Sequence, residues 1–245
     1  MSSIADPIHE RYLQVMDRIA SATRSAGREP DTVRLVVVTK AQPLNIVRSV
    51  IEAGASIVGE NYPEEAVEKV QALGSQTAVE WHMIGHVQSR KASIVAEHFA
   101  LVHSLDSLKL AQRLDRFAAE LGRTLPVLLE FNVGEEATKS GWMAAREDRC
   151  EELLPALTSL LALPHLQVRG LMVMPPLGEA AEASRPYFQR TRRLQEWLGG
   201  QLQADHWREL SMGTSLDYEV AVQEGATLVR VGTAITGPRQ YSKES

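Results

Sequence analysis

The stretch RLVVVTKAQP, residues 34–43, decides how the fold is interpreted. Leu35 to Thr39 are apolar or β-branched, which is the character of a buried strand. Lys40 follows at once, and Pro43 closes the segment. Because a lysine is almost never buried without a partner or a task, the stretch predicts a core strand that ends on an amine with a role.

Working outward from this strand, short β-type runs alternate with helix-forming sequence along the chain. A representative helical stretch repeats Leu110, Leu114, Phe117 and Leu121 at spacings of four, three and four residues. With the first strand, we predict eight runs: Leu35–Thr39, Ser56–Val58, Glu80–Ile84, Ala100–His103, Pro126–Val133, Leu166–Met174, Trp207–Met212 and Thr227–Val231. Strands separated by helices pair in parallel, because crossover connections require it.

Eight such units in 245 residues favour an α/β fold of the (β/α)8 TIM-barrel type. A doubly wound open sheet has similar periodicity and stays as the alternative. Apolar residues between 4 and 27 recur at helical spacing, so an extra N-terminal helix precedes the barrel. No linker or composition break divides the chain, and we expect a single domain over residues 1–245.

Composition narrows the class of partner. Apolar residues make up 44% and charged residues 23% of the chain, and the net charge is −5. That charge argues against nucleic acid as the main partner. Cys150 is the only cysteine, the N-terminus lacks a signal-peptide pattern, and no long uncharged apolar window occurs. We therefore expect a cytoplasmic protein with no membrane segment and no metal site.

Lys40 has two interpretations at the carboxyl end of its strand, which is the active-site end of such a barrel. Its amine either extends from the rim into water or lies in a mostly apolar mouth. In the mouth, desolvation would lower the pKa of the amine and make Lys40 a Schiff-base former.

Two later stretches indicate a phosphate site. In LSMGTSLDYEVAVQEGA (210–226), a strand ends near Ser211, Gly213 turns the chain, and a helix begins near Ser215. In TLVRVGTAITGPR (227–239), strand alternation places Arg230 and Gly232 on one face, with Thr233 next. Each stretch is also compatible with an ordinary cap or turn. They follow the seventh and eighth strands, however, where phosphate sites recur in this barrel.

A Schiff-base lysine that faces a phosphate site suits two chemistries. One is the binding of pyridoxal 5′-phosphate (PLP), an aldehyde cofactor with a phosphate group. The other is an aldolase that acts on a phosphorylated sugar. The residues by themselves leave both open.

The sequence resembles the pyridoxal phosphate homeostasis protein family, also called the proline synthetase co-transcribed family. The resemblance covers almost the whole chain. It rests on VVVTKAQP, GENYPEEAVEKV, WHMIGHVQSRK, HSLDSLKLAQRL, EFNVGEEATKSGW, VRGLMVMPP and the last two stretches quoted above. This family in turn resembles the barrel domain of alanine racemase, known as fold-type III.

The resemblance implies a role for each matching residue. Lys40 would hold the vitamin B6 cofactor as a Schiff base, and Arg230 would approach the pyridine nitrogen. The phosphate would lie against the turn from Ser211 through Gly213 to Ser215 and against Gly232 and Thr233. Apart from the resemblance, Asn61, His82 and Asn132 fall at or near strand ends and are candidates to line the mouth, although we expect His82 to be a packed histidine. Two further positions bear on this pattern. Gln42 stands where a second lysine is common, and Lys139 is either a solvated loop lysine or a second cofactor contact.

The expected function is PLP binding for intracellular homeostasis, with buffering of the cofactor and delivery to apo PLP-dependent enzymes. Racemisation needs an acid/base group on each face of the substrate carbon, and Tyr62, Tyr218 and Tyr241 lack a motif that places them there. We therefore expect a monomeric binder without strong catalytic activity. A PLP-dependent amino-acid racemase or related enzyme that uses Lys40 is the alternative.

Overall fold

Parallel strands form the centre of the molecule. A computed structural model describes residues 5–74, 78–134, 136, 140–144, 147–176, 178, 180–204 and 206–238. Its strands are β1 (Arg34–Val38), β2 (Ile57–Glu60), β3 (Glu80–Met83), β4 (Leu101–Leu105), β5 (Leu125–Asn132), β6 (Trp142–Met143), β7 (Leu166–Val173), β8 (Glu209–Ser211) and β9 (Leu228–Val231).

The strand pairing closes a barrel. β1 pairs with both β2 and β9, with Val37 opposite Val58 on one side and Val231 on the other. β4 pairs with β5 and β5 with β7, so every strand except β6 belongs to one continuous ring. β6 pairs with the end of β5 and stands outside the ring. The β1–β9 and β4–β5 ladders together close the ring, which excludes a doubly wound open sheet because such a sheet ends in two strands with free edges.

Helices surround the ring. They are α1 (Ala5–Ser25), α2 (Leu44–Glu52), α3 (Pro63–Leu73), α4 (Ala92–His98), α5 (Leu108–Glu120), α6 (Leu154–Leu161), α7 (Arg185–Leu202), α8 (Tyr218–Gln223) and α9 (Thr233–Thr236). Short 3-10 helices occupy Pro30–Thr32, Ser89–Lys91, Glu147–Leu153 and Ala181–Ser184. Within the described ranges, none of the helices is long and apolar enough to cross a membrane.

Strand alternation builds two layers of core. On β9, Val229 and Val231 pack outward beneath the helices, whereas Leu228 belongs to the layer inside the barrel. The inner apolar layer consists of Val36, Ile57, Ile84, Leu101, Leu128, Met172 and Leu228. By the same alternation Arg230 lies on the inner face, as the sequence predicts.

The extra N-terminal helix is confirmed. Ile8, Val15 and Ile19 of α1 are buried in the outer core, and α1 packs against α2, α8 and α9. The Arg11 side chain donates a 2.7 Å hydrogen bond to the carbonyl of Ile235. Helix α1 therefore covers the seam where the first and last units of the barrel meet.

All eight predicted strands are confirmed, with ends that shift by no more than two residues. The largest shift at a start is at β8, which begins at Glu209 and not at Trp207. The Trp207 N–H instead donates to the carbonyl of Ala204 in the turn before the strand. Local hydrogen bonding thus shortens a run that hydrophobicity alone would extend.

Candidate functional site

The polar residues singled out in the sequence lie at one rim of the barrel. In a closed parallel barrel all carboxyl ends of strands point the same way, so residues that follow different strands meet there. This rim contains Lys40 after β1, Asn61 after β2, Gly213 and Ser215 after β8, and Gly232 and Thr233 after β9.

Lys40 is placed on a turn with unusual backbone geometry. It is half-buried and stands two residues beyond Val38, which packs against the inner layer. The next residue, Ala41, has a φ of +54°, the left-handed region that residues other than glycine rarely adopt. Extending the Val38–Gly59 register by two residues puts Lys40 opposite Asn61. Such strained backbone persists only where its surroundings hold it.

A buried charged network holds this turn. Lys69 of α3 donates to Glu60 at 2.7 Å, to Glu65 at 2.5 Å and to the Thr39 carbonyl at 2.9 Å. The Thr39 hydroxyl donates to Glu60 at 2.6 Å, and the Ala41 N–H donates to Glu65 at 2.9 Å. The backbone on both sides of Lys40 is therefore fixed by α3. Sequence reasoning missed this network, although Glu65 and Lys69 are spaced to pair on one helix face.

The turn after β9 directs backbone N–H groups toward a hydroxyl oxygen in the turn after β8. The Ser215 hydroxyl oxygen accepts hydrogen bonds from the N–H groups of Gly232 at 3.1 Å and Ala234 at 3.5 Å. Asp217 accepts from the Thr214 N–H at 2.7 Å and so closes the turn. Two turns from different strands thus converge on one oxygen, an arrangement that suits an anionic oxygen equally well.

Two glycines are needed for this convergence. Gly213 has a φ of +91°, and a Cβ there would lie 2.5 Å from the Cβ of Ala221. Gly232 has an ordinary φ, but a Cβ there would lie 3.3 Å from the Cβ of Val38, at the β1–β9 seam. Gly232 therefore permits close packing of two strand ends, in addition to the close approach of a ligand that the sequence suggests. Thr233 is exposed beside it.

Ser211 occupies a different place from the one proposed from the sequence. Its side chain is fully buried, and its hydroxyl bonds with the Arg230 guanidinium and with Nδ1 of His103 at 2.8 Å. Strand alternation is the reason: Ser211 is still in β8 and lies inside the barrel, whereas Ser215 lies beyond the turn. In this structure Ser211 therefore supports Arg230, and its contact with a phosphate stays a prediction.

Arg230 is a buried cation beneath this rim. Its guanidinium donates to the Ser211 hydroxyl and, at 2.9 Å, to the carbonyl of Val173. Burial lowers the pKa of Arg230 to about 10, with the charges of Glu130 and Asp217 acting in the opposite direction. The group stays protonated at neutral pH and offers only hydrogen-bond donors.

The remaining sequence candidates fall in other places. Gln42 is buried and donates to the hydroxyl of Thr236 at 3.3 Å, which ties the Lys40 turn to α9. Tyr62 is exposed at the start of α3, and Tyr218 is buried in the outer core. Lys139 and Tyr241 lie outside the described residues. His82, expected to be a packed histidine, is buried with hydrogen bonds at both ring nitrogens.

Fold and site together define a class: a closed parallel barrel that presents an amine and a turn with convergent N–H groups at one rim, with a buried arginine beneath them. The chain belongs to the family described as "Alanine racemase, N-terminal domain", which it matches over residues 14–240.

Individual relatives match along nearly their whole length. The chain is 44% identical to the pyridoxal phosphate homeostasis protein of Pseudomonas aeruginosa, covering 98% of each chain. It is 40% identical to the Escherichia coli protein of the same name, covering 97% of this chain and 99% of the other. A structure of PipY from Synechococcus elongatus PCC7942 with PLP bound has a TM-score of 0.78 and 37% identity, covering 94% of this chain and all of PipY.

Proposed function

We propose that this protein binds PLP at the carboxyl-end rim and serves in PLP homeostasis by holding the cofactor and passing it on. The observation that carries the proposal is the pairing of a half-buried lysine on a fixed turn with convergent N–H groups at Ser215. The names of the relatives and the PLP-bound PipY structure support it.

The residues present fit each end of the cofactor. The Lys40 amine would hold the aldehyde end of PLP as a Schiff base. The N–H groups of Gly232 and Ala234 and the Ser215 hydroxyl would hold the phosphate, since the turn already binds an oxygen. Asn61, opposite Lys40 in register, would line the same mouth.

Arg230 would adjoin the pyridine ring from below the rim. PLP supplies an electron sink whose strength depends on protonation of its ring nitrogen. A guanidinium is a poor acid even with the pKa of about 10 that burial imposes on Arg230. It would hold the nitrogen unprotonated and weaken the sink, which suits a carrier better than a catalyst.

The proposed function also includes delivery of PLP to other proteins. Apo PLP-dependent enzymes would be the recipients of the cofactor, and the carrier would act as a monomer in the cytoplasm. The single cysteine of the sequence suits a reducing compartment. Because the match to the two relatives covers 97–98% of this chain and 98–99% of theirs, we propose that the chain acts as one domain.

An amino-acid racemase that uses Lys40 is the alternative function. It needs a second acid/base group across the substrate from Lys40. The position of Tyr62, which lies beside Asn61 and is 57% exposed, is the observation that keeps it open, since Tyr218 is buried in the outer core.

Reductive trapping tests the binding site. We expect purified protein to be yellow and borohydride to fix PLP on the peptide that contains Lys40. Lys40→Ala should lose the visible band, whereas Lys91→Ala, at a rim lysine paired with Glu64, should keep it. A trapped peptide without Lys40, or an unchanged spectrum in Lys40→Ala, would contradict the assignment.

A transfer assay separates the two functions. Holo-protein is mixed with an apo PLP enzyme, and separately with a panel of L- and D-amino acids. Activation of the apo-enzyme faster than spontaneous dissociation, without turnover of any amino acid, supports a carrier. Sustained racemisation that Lys40→Ala abolishes would make the protein an enzyme.

A further inference from the structure

A chain of hydrogen bonds crosses the inside of the barrel. It runs from Arg230 to the Ser211 hydroxyl, then to His103 at 2.8 Å and from His103 to Nδ1 of His82 at 3.0 Å. It ends on Glu80, whose carboxylate lies 3.2 Å from Nε2 of His82. Because Glu80 is the first residue of β3, the chain links the carboxyl-end rim to the opposite face of the barrel.

Such a chain is unexpected in this fold. The interior of a parallel barrel is normally filled by layers of branched apolar side chains, as the inner cluster around Val36 and Leu128 is here. The side chains of His82, His103 and Ser211 are at most 1% exposed. Buried polar groups destabilise a core unless each has a partner. Here each ring nitrogen of His82 and His103 has a hydrogen-bond partner.

The partners determine the direction of every hydrogen bond. Arg230 can only donate, so the Ser211 oxygen accepts from it and the Ser211 proton is free for His103 Nδ1. His103 then carries its proton on Nε2 and donates to His82 Nδ1. His82 in turn carries its proton on Nε2 and donates to the Glu80 carboxylate. Both histidines are neutral in this arrangement, and each donor meets an acceptor.

The surroundings keep both histidines neutral. Burial lowers the pKa of His82 to about 4, opposed by Glu80 and assisted by Arg34 and Arg169. Burial also lowers the pKa of His103 well below its ordinary value, and a proton on His82 and the charges of Arg230 and Arg34 act in the same direction. A proton on either ring would turn an acceptor nitrogen into a donor and break the sequence of bonds.

We propose that Ser211, His103 and His82 are positioning residues that orient the Arg230 guanidinium toward the cofactor ring and couple it to the Glu80 carboxylate on the opposite face. This inference rests on the proposed function for its effect on PLP. The row of hydrogen bonds from Arg230 to Glu80, called the relay below, is present in the protein without cofactor. Aligned hydrogen bonds polarise one another, so the strength of the hydrogen bond between Arg230 and the Ser211 oxygen depends on all the hydrogen bonds as far as Glu80.

Nuclear magnetic resonance of the cofactor-free protein tests the relay directly. Long-range ¹H–¹⁵N spectra, assigned with His82→Gln and His103→Gln, should show both rings neutral and protonated on Nε2 at pH 7. A ring protonated on Nδ1, or an imidazolium, would overturn the proposed direction. This readout does not depend on PLP, so it stands or falls separately from the proposed function.

The loaded protein tests the effect on the cofactor. Ser211→Ala removes one acceptor of Arg230 and leaves the Val173 carbonyl. It should shift the visible absorption of bound PLP and speed its dissociation about tenfold, as loss of a charged hydrogen bond implies. Ser211→Thr keeps the hydroxyl and should restore both properties. Met172→Leu changes the inner layer outside the relay and is the matched control.

A variant of Glu80, at the exposed end of the relay, keeps the proposal testable if Ser211→Ala does not fold. The Glu80 side chain is 57% exposed, so Glu80→Ala removes the last acceptor without altering the interior. We expect a shift of the PLP spectrum in the same direction as in Ser211→Ala, but smaller. If Glu80→Ala and Ser211→Ala both match Met172→Leu in spectrum and dissociation rate, the positioning role is refuted.

Discussion

Replacement of Lys69 by methionine tests whether the buried network behind Lys40 is as important as its contacts suggest. Methionine is of similar length and removes only the charge and the three hydrogen bonds to Glu60, Glu65 and the Thr39 carbonyl. The Lys69 side chain is 8% exposed and that of Glu60 is 0% exposed. The substitution therefore leaves a carboxyl group in the core without its cation.

The expected cost follows from the position of Glu60. Removing one partner of a buried ion pair typically lowers the free energy of unfolding by about 3–5 kcal/mol. Burial already raises the pKa of Glu60 against the opposing effect of Lys69. Glu60 Oε2 also has no hydrogen-bond partner among the residues that the structure describes. Most domains have only about 5–15 kcal/mol in total, so the loss would be large.

The chain supplies a matched control. Lys91 pairs with Glu64 at 2.8 Å, but these side chains are 22% and 49% exposed. Because exposed ion pairs contribute about 0–1 kcal/mol, Lys91→Met should have little effect. Urea unfolding followed by circular dichroism compares the two variants. Adding Glu60→Gln to Lys69→Met should recover part of the stability, since it removes the uncompensated charge.

Two further readouts distinguish this mechanism from a general packing defect. The deficit of Lys69→Met should shrink at low pH, because protonation of Glu60 removes the buried charge. PLP loading should also fall, because the turn that carries Lys40 loses its contact with α3. Equal stability of Lys69→Met and Lys91→Met at pH 7 would refute the argument.

Three more predictions use the same methods. The pKa of His82 is lowered to about 4 and that of His103 is also lowered, so the unfolded state binds more protons below the ordinary value of 6.5. The free energy of unfolding should therefore decrease as pH falls from about 6.5 to 4, by about 3 kcal/mol for His82 alone. A urea unfolding midpoint that does not change over this pH range would contradict this. Gly213→Ala should destabilise the protein by more than about 1 kcal/mol, because the φ of Gly213 is +91° and a Cβ there would contact Ala221. A higher unfolding temperature of this variant in calorimetry would contradict the prediction. Ser215→Ala should weaken equilibrium binding of PLP about tenfold and leave that of pyridoxal unchanged, and an equal loss for both would argue against a phosphate turn.

Much of the fold is predictable from local sequence. Runs such as Leu35–Thr39 between helix-forming segments locate all eight barrel strands, because a buried parallel strand is short, apolar and bounded by turns. The order of units then favours a barrel, but closure itself depends on the long-range ladder between β1 and β9. Local periodicity does not encode that pairing, which is why an open sheet remained possible.

The candidate site also has a part that is predictable from sequence and a part that only the tertiary structure determines. The place of Lys40 at the end of β1 and the turn at Ser215 follow from sequence, because each depends on a strand end and its next few residues. The inward position of Ser211 depends on where β8 ends, and a shift of one residue reverses the face. Its partners His103 and Arg230 are 108 and 19 residues away. Likewise, Lys69 meets the Thr39 carbonyl across 30 residues. Hydrogen bonds need atoms within about 3 Å, and only the closed barrel brings such distant residues that close.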